Sequence, residues 1–201
     1  MPRISTQEFE RLPLRVHSFL AGVPLHDAWA VDLPRPRAGI TLHEFLRSAG
    51  ALPFTPSPVV RALLNIRFFV GRLLGWEREP HSTERAPCAT VRETFATRLT
   101  AADRSRSLTP AGTREGPFRM VYRFENEQLL ELINRTAHAA AVSALVETGN
   151  AYRFYFAVYV QSVGRLTPLY MAAIDPFRRL IVYPSLLRSV RATWNQTFGP
   201  A

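Results

Sequence analysis

Residues 118–194, FRMVYRFENEQLLELINRTAHAAAVSALVETGNAYRFYFAVYVQSVGRLTPLYMAAIDPFRRLIVYPSLLRSVRATW, decide how the rest of this chain is read. Phe118, Met120, Tyr122 and Phe124 alternate with Arg119, Val121, Arg123 and Glu125, the period of two that marks a strand. A turn at Glu125–Glu127 leads into Gln128–Asn134, and the two runs predict a hairpin. Ala137–Val146 is apolar and small, and the turn signal Thr148-Gly149-Asn150 joins it to Tyr152–Gln161 as a second hairpin. Past Gly164 the period becomes helical. Pro168 stands where a first helical turn tolerates proline, and the helix is expected to reach about Asn195. Its expected apolar stripe is Leu169, Ala173, Pro176 or Phe177, Leu180, Tyr183 or Pro184, Leu187, Val190 or Arg191, and Trp194. Pro176 and Pro184 each remove a backbone donor, which predicts a kink or two segments meeting near Asp175.

Outward from this stretch, Leu25–Leu33 alternates and predicts a first strand, with Leu25, Asp27, Trp29, Val31 and Leu33 on one face and His26, Ala28, Ala30 and Asp32 on the other. On that reading His26 and Asp27 point apart and form no dyad. Ser5–Leu12 predicts a short helix stopped by Pro13. Thr41, with Glu44 three residues on, caps a helix over Leu42–Ser48. Pro58–Trp76 carries apolar residues at spacings of three and four and predicts a longer helix. Residues 77–90 are polar and read as a mobile loop, Thr90–Thr100 alternates weakly and suggests a second strand with a helix as the alternative, and Ala101–Pro117 reads as a polar connection.

The 201 residues suit one domain with a substantial core. Hydrophobic residues make up 47% and charged ones 20%, the balance of a folding chain. The net charge of +9 comes entirely from arginine, and the arginines are scattered without the concentrated patch that nucleic-acid recognition uses, so no nucleic-acid partner is expected. Cys88 is the only cysteine, which excludes an intrachain disulfide framework and a thiolate metal cluster. The first ten residues lack the apolar core of a signal peptide, and the apolar stretch 166–190 is broken by Asp175, Arg178, Arg179 and two prolines, so a transmembrane segment is not expected and the reading is cytoplasmic. There is no glycine-rich phosphate loop and no Gly-x-Ser-x-Gly nucleophile motif; no cofactor and no metal are expected.

The order strand, two helices, antiparallel strands and one long helix resembles the helix-grip pattern of the START-like superfamily, also called SRPBCC. The run Arg61-Ala62-Leu63-Leu64-Asn65-Ile66-Arg67 leading to Gly71-Arg72-Leu73-Leu74-Gly75-Trp76, with Gly164-Arg165-Leu166 through Tyr170 to Pro176-Phe177-Arg178-Arg179-Leu180-Ile181-Val182, is similar to an uncharacterised bacterial family known only as a domain of unknown function. The likeness covers about residues 25 to 195. Where that family carries an Arg-His-Leu-Asp-Phe-like segment on a central strand, this chain reads Asn134-Arg135-Thr136-Ala137-His138-Ala139, without the carboxylate and the aromatic.

The fold expected is therefore α+β, a helix-grip in which a curved antiparallel sheet wraps around a long C-terminal helix with two helices between the first and second strands. It forms a single domain over 1–201, with an N-terminal extension at 1–24 and the grip at 25–196. Such a grip implies a cavity between sheet and helix for a hydrophobic small molecule, a lipid, polyketide or terpenoid, lined by Trp29, Met120, Tyr122, Phe124, His138, Tyr155, Tyr159, Phe177 and Trp194. Packing of the same aromatics into a solid core is the competing reading. Arg153, Tyr155, Ala157, Tyr159 and Gln161 share one face of the last strand; its arginine, two phenols and amide could hold a carboxylate or carbonyl, but the favoured expectation is that this face meets solvent. The alternative function is an enzyme of polyketide-cyclase or aromatase type with His138, Tyr122, Tyr155 and Arg153 as catalytic candidates. A third reading is a basic interaction module for a membrane or acidic partner, and the composition also allows a homodimer.

Overall fold

A computed structural model of the chain describes residues 3–49, 93–133, 138–162 and 166–199. The helix expected over 58–76 and the loop over 77–90 lie outside them. The fold is α+β: six antiparallel strands form one curved sheet in the order β1-β6-β5-β4-β3-β2, with a long C-terminal helix against it. The strands are β1 (Leu25–Pro34), β2 (Arg114–Glu115), β3 (Phe118–Arg123), β4 (Glu127–Ile133), β5 (His138–Thr148) and β6 (Ala151–Gln161). The helices are α1 (Thr6–Glu10), α2 (Arg15–Phe19), α3 (Leu42–Ser48), α4 (Ala101–Arg106), α5 (Leu166–Phe177) and α6 (Tyr183–Phe198). Both expected hairpins form, and the second closes on Gly149, whose φ of 55° is the left-handed conformation that turn needs.

Both faces of the sheet are covered. On one, Trp29, Val31 and Leu33 of β1 and Tyr152, Phe154, Phe156 and Val158 of β6 pack against Tyr183, Leu187, Val190 and Trp194 of α6 and against Leu42, Phe45 and Leu46 of α3. On the other, Ala28, Ala30, Tyr155, Ala157 and Tyr159 pack with Phe9 of α1, Val16 and Phe19 of α2, and Phe95. The face expected to meet solvent is therefore interior. Tyr155 and Tyr159 are buried because α1 and α2 lie over them, and residues 3–24 are part of the core rather than an appendage.

The N-terminal helices are too short to stand alone and are held by side chains distant in sequence. Leu14 offers α2 no capping side chain; instead the buried Glu127 carboxylate of β4 accepts the backbone N–H groups of Arg15 and Val16, both at 2.8 Å, and the Tyr122 hydroxyl. The Arg15 guanidinium donates to both oxygens of Asp103, at 3.0 and 2.9 Å. Asp103 sits in a capping box with Thr100 that starts α4, so one carboxylate ties two helices together.

Two stretches between β1 and β3 differ from the favoured expectation. Over residues 93–100, the described part of the weakly alternating stretch, the helical alternative holds in place of a strand: Phe95–Arg98 is a 3-10 turn capped by Thr94, and the Glu131 carboxylate accepts the Phe95 N–H at 2.8 Å and the Thr94 hydroxyl. Residues 101–117 are not plain connection, since they hold α4 and the edge strand β2.

The C-terminal helix breaks its α pattern between the two prolines. Residues Arg178–Val182 form a π-turn, in which the Tyr183 N–H reaches back to the Arg178 carbonyl. Pro184 explains the position, because its ring would collide with the Leu180 carbonyl in a regular α turn and the wider turn relieves that. The extra residue rotates the inward stripe by about 100°. The stripe runs through Met171, Asp175 and Arg178, then jumps five positions to Tyr183, Leu187, Val190 and Trp194. Phe177 and Leu180, expected inside, are 52% and 76% exposed for that reason.

The Arg15–Asp103 pair gives the fold an acid-sensitive contact. The hydrogen bond from Arg15 outweighs burial and, with Thr100, holds the Asp103 carboxyl well below the usual carboxylate range. A depressed folded pKa contributes stability above the unfolded value, near 4, and loses it as pH falls below that. Arg15→Ala is expected to cost about 1 kcal/mol at pH 7. Urea unfolding followed from pH 7 to 2 should show the gap between variant and parent shrinking below about pH 4; a gap independent of pH would contradict the role given to Asp103.

Candidate functional site

β1 begins with an irregularity. Leu25 pairs with Tyr159 and Asp27 with Val158, so one residue too many lies on β1 between these rungs. This β-bulge re-aims the side chains: His26 and Asp27, expected on opposite faces, come together, with Nε2 of His26 3.6 Å from Asp27 Oδ2. Both look toward the C-terminal helix just before its π-turn. There His26 Nε2 meets the Asp175 oxygens at 2.8 and 3.0 Å. Two local departures from regular structure thus face each other across the grip.

Arginines complete the cluster. Arg179 Nε lies 3.3 Å from Asp27 Oδ1, and its NH2 lies 3.2 Å from Asp175 Oδ2. Arg178 NH1 lies 3.4 Å from Asp175 Oδ1, while its Nε donates to the Tyr183 hydroxyl at 2.7 Å. From the N-terminal segment, which bridges to Trp29 beside β1, Arg3 Nε reaches Asp27 Oδ1 at 3.3 Å. Burial pushes the Tyr183 phenol up to about 12, against the pull of Arg178.

The hydrogen bonding here is incomplete. The Asp27 side chain is wholly buried, yet neither of its oxygens has a hydrogen-bond partner; its ion-pair neighbours hold it by charge. Trp29 Nε1 and Arg179 Nε are also buried without an acceptor. A buried polar group left unpaired costs about 1–3 kcal/mol, and Asp27 and Trp29, two residues apart on one face of β1, with Arg179 against Asp27, carry three of them. Among the described residues, His26, Asp27 and Asp175 also form a group with cation-ligand chemistry, their donor atoms within 4.8 Å of one another. The Arg179 guanidinium, touching both carboxylates, already supplies the positive charge a metal would bring.

The other residues expected at the site are divided by the sheet. Trp29 and Trp194 lie on the α6 face, where Trp194 is fully buried, donates its indole N–H to the Pro34 carbonyl at 2.9 Å and packs on Phe45. Tyr122, Phe124, Tyr155 and Tyr159 lie on the α1–α2 face. The expected alternation of β3 is interrupted by a bulge: Met120 pairs with Leu130 and Tyr122 with Leu129, and because consecutive residues of β4 point opposite ways, Met120 and Tyr122 do too. Tyr122 stacks on Phe124 at 4.4 Å and packs edge-on to Phe19 at 5.4 Å. Phe177 points outward. These side chains therefore do not line one cavity.

The catalytic candidates are structural in their contacts. His138 stacks on Phe95 at 3.9 Å with Nε2 3.3 Å from Glu131, on the face away from α6. Burial pushes the Glu131 carboxyl up, but His138, Thr94 and the Phe95 N–H together bring it below its ordinary value, as suits a permanent acceptor. Tyr122, with its phenol raised by burial and by Glu127, serves Glu127. Burial raises the Tyr155 phenol and takes that of Tyr159 up to about 12. Arg153 pairs with Glu8 at 3.1 Å and Asp32 at 3.4 Å. A pocket of about 320 Å³ lined by Leu99, Arg104, Ser107, Thr109, Pro110, Ala111 and Val121 lies away from the Asp27 cluster and contains no buried unpaired side-chain atom.

Sequence reasoning missed His26, Asp175 and Arg179 because their approach depends on a bulge and a π-turn. Only the two prolines around 178–182 signalled the second. The His26–Asp175 contact joins the edge strand to the C-terminal helix, so a double-mutant cycle of His26→Ala and Asp175→Ala is expected to return a coupling of about 1 kcal/mol in urea unfolding. Strictly additive losses would show that the contact is not made in solution.

Among the described residues no helix is long and apolar enough to cross a membrane. No curated protein and no solved structure matches the chain. A family model does match, over residues 19–185, and the chain belongs to that family, described as protein of unknown function (DUF2867).

Proposed function

We propose that the protein binds a hydrophobic small molecule of lipid, polyketide or terpenoid type between the sheet and the C-terminal helix, its polar end against Asp27, Trp29 and Arg179. The carrying observation is the set of buried, unpaired polar atoms on those three side chains beside an apolar sheet face. A ligand group that satisfies them recovers part of what the free protein loses by burying them.

The gradient of burial along the same core supports this placement. At the Trp194 end, Leu33, Tyr152, Phe154, Leu187, Val190 and Trp194 are at most 1% exposed; at the Asp27 end, Trp29, Phe156, Val158 and Met171 are 7–8% exposed, and Leu25, Val160 and Ile174 more so. The grip is closed at one end and looser at the other, where the polar cluster stands. On this reading the chain is a cytoplasmic helix-grip protein of the START-like, SRPBCC kind.

A second reading, an enzyme of polyketide-cyclase or aromatase type, is favoured by one contact. His26 lies between Asp175 and Asp27, and a carboxylate-oriented imidazole is suited to moving a proton in a shaped apolar site. The acid–base role would then belong to His26 in place of His138.

Native mass spectrometry of the full chain, offered fatty alcohols, terpenoids and aromatic polyketides, is expected to show one-to-one adducts. Trp29→Phe should weaken them about fivefold, the worth of one hydrogen bond. No adduct across the panel, together with an experimental structure whose interior is filled by side chains, would overturn the proposal. If the second reading holds, His26→Gln abolishes turnover of a polyketide substrate and leaves adduct formation intact.

A further inference from the structure

We infer that the ligand's polar group is a neutral hydrogen-bond donor and acceptor, a hydroxyl or a primary carboxamide, and not a carboxylate, phosphate or amine. This rests on the binding reading above and names the chemistry of its polar end. The Asp27 oxygens accept no hydrogen bond and Trp29 Nε1–H donates none, while Arg179 Nε faces Asp27 Oδ1 at 3.3 Å as an ion pair without hydrogen-bond geometry. Asp27 and Trp29 share a face of β1, opposite Val158 and Phe156 of β6 in the core that contains Tyr183 of α6, and Arg179 touches Asp27. A hydroxyl or carboxamide donates a hydrogen bond to Asp27 and accepts one from Trp29 or Arg179. Carboxylates and ionised phosphates only accept and leave Asp27 unsatisfied; ammonium groups only donate and leave the indole and guanidinium unsatisfied.

Charge gives the same answer. Two carboxylates, Asp27 and Asp175, face two guanidiniums, Arg178, which is largely buried, and Arg179, whose side chain is 37% exposed, so the formal charges of the inner cluster balance. Arg3, the third guanidinium, is 52% exposed and screened by solvent. An anion entering beside Asp27 meets a like charge with no hydrogen bond to soften it, and a cation meets Arg179; either is disfavoured by about tenfold or more at partly buried range. Neutral groups meet neither cost.

The test uses probes of one chain length on the full protein at pH 7: decanol, decanamide, decanoate, decylamine and decane, titrated calorimetrically. Decanol and decanamide are expected to bind at least tenfold tighter than decanoate and decylamine. Asp27→Asn, checked for folding by circular dichroism, should narrow the gap between decanol and decanoate by removing the repelling charge. Trp29→Phe, a second variant that leaves the charges alone, should weaken decanol about fivefold and decane hardly at all. Decanoate or decylamine binding as tightly as decanol overturns the inference while the grip reading stands. Failure of every probe, decane included, overturns the grip reading itself.

Discussion

Burial of β6 on both faces is the constraint from which the rest of the architecture follows. Tyr152, Phe154, Phe156 and Val158 on one side and Tyr155, Ala157 and Tyr159 on the other are all removed from water. A sheet with two apolar faces needs two covers. The C-terminal helix supplies one with Tyr183, Leu187, Val190 and Trp194. The N-terminal segment supplies the other with Phe9, Val16 and Phe19. Because α1 and α2 are single turns, that second cover depends on contacts made from the sheet. Glu127 caps α2 and Arg15 locks on Asp103, which is why buried carboxylates sit in an otherwise apolar layer.

The same layer accounts for the histidine that the sequence puts forward most strongly. His138 lies in a run of small alanines, and the space beside its ring is taken by Phe95, stacked at 3.9 Å, while its Nε2 is taken by Glu131. Glu131 in turn accepts from Phe95 and Thr94, so the imidazole helps to fix where the chain re-enters the sheet after residue 92. Its contacts are those of an anchor within the fold.

Much of the fold was legible because it rests on local patterns. Alternation marked β1, β3 and β6; the turn at Glu125–Glu127 marked β4, and a small apolar run joined by Thr148-Gly149-Asn150 marked β5; Thr41 with Glu44 marked the start of α3, and Thr41 does accept the Glu44 N–H at 3.1 Å. Thr100-Ala101-Ala102-Asp103 carries a capping-box signal of the same kind but was lost in a polar stretch. α2 was not legible, since its cap is Glu127, far along the chain. Alternation also assigns partners to a face without saying whether that face is covered, which is how Tyr155 and Tyr159 came to be expected in solvent. The site failed for a sharper reason. Period-two and period-3.6 rules assume that no residue is inserted, and this chain inserts one at Leu25/Asp27, one at Met120/Tyr122 and one in the π-turn.

Those insertions are not distributed at random with respect to polar chemistry. Without the bulge in β1, His26 would point into the α1–α2 layer and Asp27 alone would face the helix. Without the π-turn, the stripe of Tyr183, Leu187, Val190 and Trp194 would run back through Leu180 and Phe177, and the grip would be sealed by leucine and phenylalanine at the place where it now holds charge. Regular packing would serve stability better, because an apolar seal leaves nothing unpaired, whereas the observed arrangement buries Asp27, Trp29 Nε1 and Arg179 Nε without hydrogen bonds. Departures from local rules that lower stability and converge on one place are what a binding requirement leaves in a fold. The Asp27 end of the grip is where this chain departs from its own pattern twice, once in β1 and once in the C-terminal helix, and the two departures bring His26, Asp27, Asp175 and Arg179 together.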